Sequence, residues 1–278
     1  MSRTEARRVA YYPGCMSLDC VRELNISMRA VLTALDIEPV EWKGWNCCGG
    51  DLGDSVFPEG ASALTERILT SAASVGTELV CACPVCASRL GGAKGAVKVS
   101  SALELLTRPH TMALLEQRRK ETLEGLKAAC YYGPSRGGSE EDTPGSPPLE
   151  QLARMCGVSP VKWAGRQRPH GGYSAFMSPG LMRGLAGKIL TDAMEAGADF
   201  ILVEDPHAQL NLDLFQYPIG RELKRAVDIP VLFASELAAH ALGLDEAEGC
   251  YGRHATPPFR MLLDHYDRRY AVKSEPKP

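Results

Sequence analysis

Glu38 to Gly50 reads EPVEWKGWNCCGG, and Ser159 to Gly172 reads SPVKWAGRQRPHGG. Pro39, Val40 and Trp42 of the first stretch meet Pro160, Val161 and Trp163 of the second, and both stretches close on Gly-Gly. Working outward, Tyr11-Tyr12 falls on Tyr131-Tyr132, and ILTSAASVGTELVCACPVC (Ile68 to Cys86) falls on ILTDAMEAGADFILVEDPHA (Ile189 to Ala208). The offset is 120 from Tyr11 to Tyr131 and 122 from Cys86 to Ala208. Matches at a nearly constant offset, broken only by short slips, mark an internal duplication.

Each half alternates strand and helix patterns. Arg8 to Tyr12, Pro39 to Trp42, Glu78 to Ala82 and Val97 to Val99 read as short apolar strands. Between them, Ser27 to Leu35 places Met28, Val31, Leu32 and Leu35 on one helical face, and Leu64 to Ala73 and Ala102 to Leu106 read as further helices. The second half repeats the order and ends with a strand at Pro230 to Phe233 and a helix at Glu236 to Leu242. Strands separated by helices of this length favour parallel sheets. The expected fold is α/β: two tandem parallel-sheet domains related by a pseudo-twofold, residues 1–120 and 121–278, joined in the charged stretch Glu116 to Lys127. Gly133 to Pro148, GPSRGGSEEDTPGSPP, reads as a surface insertion.

The chain has 278 residues, 45% of them hydrophobic, and a net charge of −3. That composition supports a full core without disulfide staples. Acids and bases are mixed along the chain, so no basic face for nucleic acid is expected. The N-terminus MSRTEARRVAYYPG lacks an apolar signal segment, and no apolar run approaches a membrane span. A cytoplasmic protein is expected, and in a reducing compartment its ten cysteines call for metal or redox chemistry rather than disulfides.

Five of those cysteines form a pattern: Cys15, then the pair Cys47-Cys48, then Cys83 and Cys86. Each group follows a predicted strand, and strand C-terminal ends converge on one edge of a parallel sheet, where α/β proteins place ligands. Glycines beside the thiols (Gly14, Gly49, Gly50) permit close backbone approach. Structural zinc takes four thiolates, and an adjacent pair suits one tetrahedral ion poorly. A dithiol at Cys83 and Cys86 leaves three cysteines unused. An iron–sulfur cluster is the chemistry that uses all five.

YYPGC, WNCCGG and CPVC, with the spacing between them, resemble the CCG domain, two copies of which make up the B-type polypeptide of heterodisulfide reductase. QLNLD (Gln209 to Asp213) and IPVLFASELAAHALGLD (Ile229 to Asp245) extend the resemblance over nearly the whole chain. The resemblance implies a noncubane [4Fe–4S] cluster on Cys15, Cys47, Cys48, Cys83 and Cys86. It also implies an iron–sulfur C-type partner and a flavin-carrying A-type partner in a heterodisulfide reductase-like complex. Related complexes act in dissimilatory sulfur oxidation, on thiols, disulfides or persulfides. Catalysis is expected of such a complex rather than of the isolated chain. The rivals are an electron-relay or assembly subunit, and a CCG subunit of a hydroxyacid oxidase or of a classical heterodisulfide reductase.

The second half departs from that pattern. Cys15 corresponds to Pro134 or Ser135, Cys47 and Cys48 to Pro169 and His170, and Cys83 and Cys86 to Asp205 and Ala208. One cluster per chain is therefore expected. His170, Asp205 and His207 are either a new polar pocket or solvated remnants of ligand loss, and the remnant reading is the default. Cys81, Cys130 and Cys156 read as core residues, Cys20 as helix packing, Trp42, Trp45 and Trp163 as core or cluster shielding, and Arg166 and Arg168 as solvated surface. Cys250 has no functional reading.

Overall fold

The computed structural model describes residues 7–50, 52–93, 95, 97–134 and 147–271. The expected surface insertion falls largely on residues 135–146, which lie outside the described residues.

The chain is α/β, as the duplicated pattern implies. Strands β1 (Arg7–Tyr12), β2 (Ile37–Val40), β3 (Glu78–Cys81) and β4 (Lys98–Ser101) form one sheet, in the order β2-β1-β3-β4. Strands β5 (Lys127–Tyr131), β6 (Ser159–Pro160), β7 (Phe200–Val203) and β8 (Val231–Phe233) form a second, in the matching order β6-β5-β7-β8. Every pairing is parallel. One edge of each sheet goes to β2 and β6, the strands that carry Pro39 and Pro160, because proline cannot supply a ladder N–H to a second neighbour. Val9 pairs with Pro39 and Ala128 with Pro160, so β1 and β5 are offset by one residue from the tyrosine alignment. The structural partner of Tyr131 is Tyr12, not Tyr11, and Cys15 then corresponds to Pro134.

The first sheet packs on both faces. Val9, Tyr11, Val80 and Ala82 face a core that runs on into the second half, through Leu103, Leu126, Phe200 and Leu237. Ala10, Tyr12, Leu79 and Cys81 face a smaller core closed by the helices Pro58–Ala73 and Pro84–Gly91, which also holds Cys48, Cys83 and Cys86. The helix Arg22–Ala34 joins the halves. It starts a turn before the expected Ser27, and buries Leu24, Met28, Val31 and Leu32 against the helix Ala234–Ala241 and its successor Asp245–Tyr251. Each such side chain, fully buried, contributes about 1.5–3 kcal/mol. Ser27 and Ser235 meet across that contact at 2.7 Å, and the Cys250 thiol reaches the Glu23 carbonyl at 3.6 Å. Cys250 therefore pins the C-terminal region to the first half.

Candidate metal centre

In a sheet of order 2-1-3-4 the connections from the central pair leave in opposite directions, and a crevice opens between β1 and β3 at their C-terminal ends. Cys15 follows β1 and Cys83 follows β3, one on each side of that crevice. The loop after β2 brings in Cys47 and Cys48. Gly14 sets the approach: a Cβ there would lie 3.5 Å from Cys86 Sγ and 3.7 Å from Cys83 Cβ. Gly49 and Gly50 turn the CCGG loop with φ of 91° and 55°, the left-handed region that glycine enters without strain. Their amides point at the preceding thiols, Gly49 N at Cys47 Sγ and Gly50 N at Cys48 Sγ, both 3.4 Å. Tyr12 fixes the start of the loop by donating to the Asn46 carbonyl at 2.7 Å.

The five sulfurs form an unbroken run. Cys15 Sγ is 3.8 Å from Cys47 Sγ, Cys47 is hydrogen-bonded to Cys48, Cys48 Sγ is 3.3 Å from Cys86 Sγ, and Cys86 is hydrogen-bonded to Cys83. Cys48, Cys83 and Cys86 are buried, whereas Cys15 and Cys47 are exposed at the rim. Trp42 and Trp45 pack beside this core against the Tyr12 ring, with ring centroids 6.2 and 5.0 Å away, which bears out the core reading of the pair. Among the described residues, no three or more Cys, His, Asp or Glu side chains are set around one point to hold a single ion.

Ionisation along the run is uneven. Cys47 is held well below the usual thiol range, chiefly by hydrogen bonds from Cys15 and Cys48, with the Gly49 amide and the Arg89 guanidinium adding to them. The hydrogen bond to Cys47 in turn pushes Cys15 up and Cys48 up to about 11, while hydrogen bonds to Cys48 and Cys83 raise Cys86. Loading a metal group on these cysteines must expel their thiol protons.

The corresponding edge of the second sheet keeps the backbone and changes the side chains. Gly171 and Gly172 have φ of 94° and 48°, and Gly133 has 70° where Gly14 has 77°. Asp205 caps the helix Pro206–Leu214 as Cys83 caps Pro84–Gly91, each followed by proline. His170, Asp205 and His207 do come together. His170 Nε2 is 3.6 Å from Asp205 Oδ2, and His207 Nδ1 is 4.0 Å from Asp205 Oδ1. They are not the solvated remnants expected: His170 is 7% exposed, and its Nδ1 meets the Asn211 amide at 3.2 Å. Asp205 accepts the His207 amide at 2.9 Å, and His207 lies edge-on against Tyr173 with centroids 4.6 Å apart. Ala208 is fully buried. The vacated position is filled by a mutually satisfied polar plug. A cavity of about 1210 Å³ opens between the two sheet edges, lined on one side by Gly50, Pro84 and Arg89 and on the other by Tyr131, His170 and Asp205.

Elsewhere, Cys81, Cys130 and Cys156 are buried core residues as expected, and Trp163 packs beside Tyr131. Cys20 is exposed at the end of the short helix Met16–Asp19, which is too brief to bury it. Arg166 is not solvated surface, because it pairs with Glu150 at 3.2 Å and lies 4.8 Å over the Tyr132 ring. Arg168 is bound to Asp192 at 2.7 Å. Sequence reasoning missed Arg89 and Asn211. The signal was available: at the offset of 122 that joins Cys86 to Ala208, Arg89 falls on Asn211.

Over 87% of this chain and 94% of the relative, the sequence is 23% identical to the 8-methylmenaquinol:fumarate reductase membrane anchor subunit of Wolinella succinogenes. A crystal structure of a hypothetical protein from Helicobacter pylori superposes with a TM-score of 0.68 at 12% identity, over 91% of this chain and 53% of that one. The chain spans about half the length of that structure, and the likeness bears on fold alone. Among the described residues no helix is long and apolar enough to cross a membrane. Residues 9–91 match the CCG cysteine-rich domain family, a domain that points to an iron–sulfur redox subunit. The match takes in every one of the five clustered cysteines, so the first half of this chain is similar to the CCG cysteine-rich domain family over residues 9–91.

Proposed function

We propose that Cys15, Cys47, Cys48, Cys83 and Cys86 hold one noncubane [4Fe–4S] cluster, and that the chain is the B-type subunit of a cytoplasmic heterodisulfide reductase-like complex. The unbroken run of five sulfurs at one sheet edge, matched by no thiol at the other, carries this reading. A bound cluster would supply one-electron redox chemistry and an iron able to meet a sulfur ligand. The chain's own residues do the rest. Cys48, Cys83 and Cys86 hold the buried side, Trp42 and Trp45 keep water from one flank, and the rim at Cys15 and Cys47 stays open to an incoming thiol, disulfide or persulfide. Residues 1–120 serve as the cluster-binding domain and residues 121–278 as its cluster-free companion.

Thiol–disulfide conversion moves two electrons, so a one-electron centre needs partners, here a C-type iron–sulfur subunit and an A-type flavin subunit. An exposed apolar surface near the cluster is expected for such contacts. Leu52, Val56 and Phe57, directly after the CCGG loop, are 47%, 78% and 63% exposed and support it. A second reading, an electron-relay subunit of a quinol-linked reductase, draws support from the Wolinella relative. Anaerobic reconstitution followed by EPR separates the two. A thiol or persulfide that perturbs the oxidised cluster's spectrum supports sulfur chemistry, whereas an unresponsive but reducible cluster favours the relay.

A further inference from the structure

Arg89 lies three residues beyond Cys86 on the helix Pro84–Gly91, and its side chain is 11% exposed. Nη1 donates to the Gly50 carbonyl at 3.1 Å, and the two terminal nitrogens grip Asp54 at 2.7 and 2.8 Å. The loop wraps the guanidinium closely: a Cβ on Gly49 would lie 3.5 Å from Nε, and one on Gly53 3.4 Å from Nη2. The second half contains the same grip in a neutral form. Counting from the capping residues Cys83 and Asp205, the sixth residue onward is Arg89 in one helix and Asn211 in the other. Asn211 Nδ2 donates to the Gly172 carbonyl at 2.9 Å and to the His170 carbonyl at 3.3 Å. Gly50 and Gly172 are the second glycines of their loops, both left-handed. The same carbonyl is thus held from the same helix position in both halves, and the holder is charged only where thiols are present.

We infer that Arg89 is the positioning residue of the cluster loop: it clamps the Gly50 carbonyl and sets a largely buried guanidinium, paired outward with the exposed Asp54 carboxylate, near Cys47. The inference rests on the reading of the five cysteines as iron ligands. The planar fork of the guanidinium holds both Asp54 oxygens and a carbonyl in one fixed geometry, which the single-point ammonium of lysine does not reproduce. Its charge, in a partly desolvated place, offsets the negative charge that five thiolates bring, and it favours the reduced state of whatever they hold.

The test uses the full chain, reconstituted anaerobically, with Arg89→Met and Arg89→Lys. Iron and sulfide are counted first, and wild-type protein that binds no iron sinks the cluster reading itself, before any variant is compared. With iron bound, Arg89→Met is expected to lose it to a chelator about tenfold faster or more, and to show a lower midpoint potential. Arg89→Lys should restore most of the potential and little of the chelator resistance, because it keeps the charge and loses the clamp. Arg89→Met with wild-type potential and wild-type iron retention would overturn the inference. A lowered potential that Arg89→Lys fails to restore would also contradict it, since packing rather than charge would then be at work.

Discussion

The loop Cys47 to Gly50 and the loop Pro169 to Gly172 are two versions of one device. In both, a tyrosine from the central strand donates to the carbonyl just before the loop: Tyr12 to Asn46 at 2.7 Å, and Tyr131 to Arg168 at 2.6 Å. A tryptophan stands 6.2 Å from each of those rings. Both loops turn on two left-handed glycines and are held by a side chain of the facing helix. What differs is the set of side chains that would touch a ligand. The cradle is built by residues other than the thiols, so it is present in both halves. In the second half the fold closes on itself, with the imidazole of His170 where Cys48 would stand, hydrogen-bonded to Asn211 and 3.6 Å from the Asp205 carboxylate.

The comparison breaks most visibly at the thiols. Cys47→Ala or Cys48→Ala should abolish or convert the iron–sulfur centre, read as loss of visible absorbance and of bound iron. Cys130→Ala, Cys156→Ala and Cys250→Ala should leave iron content unchanged. Next in size is the reverse experiment. If the second cradle is intact, Pro134→Cys, Pro169→Cys, His170→Cys, Asp205→Cys and Ala208→Cys together should about double the iron bound per chain. A folded variant with unchanged iron would show that the cradle needs the Arg89-type charge as well as its thiols.

The third test concerns a buried charge network of the second half. His254 is fully buried between Glu236, 2.8 Å away, and Asp213, 3.8 Å away. Burial works against its charged form, but the two carboxylates overcome that and hold its pKa up at about 9. A folded pKa raised above the unfolded value of 6.5 stabilises fully below 6.5, and the contribution is lost as pH rises through about 9. Melting temperature should therefore fall between those values, and His254→Gln should flatten the fall. His254→Ala, which strands two buried carboxylates, should cost about 3–5 kcal/mol in denaturant unfolding.

The smallest expected effect on stability lies at the exposed apolar residues. Val56→Asp should change unfolding free energy by no more than about 0.5 kcal/mol, yet weaken co-purification with the partner subunits. Equal recovery of partners would remove that surface from the interface.

Much of this was legible in the sequence, for identifiable reasons. The five cysteines could be read because strand ends, glycines and thiols sit together locally. The duplication could be read because Pro39, Val40 and Trp42 recur at one spacing. The tyrosine register was off by one, because two adjacent tyrosines leave the slip undetermined until the sheet pairs Val9 with Pro39. Pro39 to Trp42 proved to be Ile37–Val40, because Trp42 already belongs to the loop that shields the thiols. The Glu236–His254–Asp213 network joins residues far apart in the chain, and periodicity carries no trace of such contacts, whereas the Arg89 clamp left only its alignment with Asn211 at the repeat offset. Arg166 looked like surface because the strand that would hide it could not be weighed against the Tyr132 ring it covers.

One iron–sulfur centre is expected in the first half and none in the second. Iron and acid-labile sulfide, counted per chain on anaerobically reconstituted wild-type and Cys47→Ala protein alongside EPR, test it most directly. The expected result is about four of each in the wild type, with loss or conversion of the centre in the variant. A colourless wild-type protein with stoichiometric zinc, or iron near eight per chain that persists without Cys47, would contradict it.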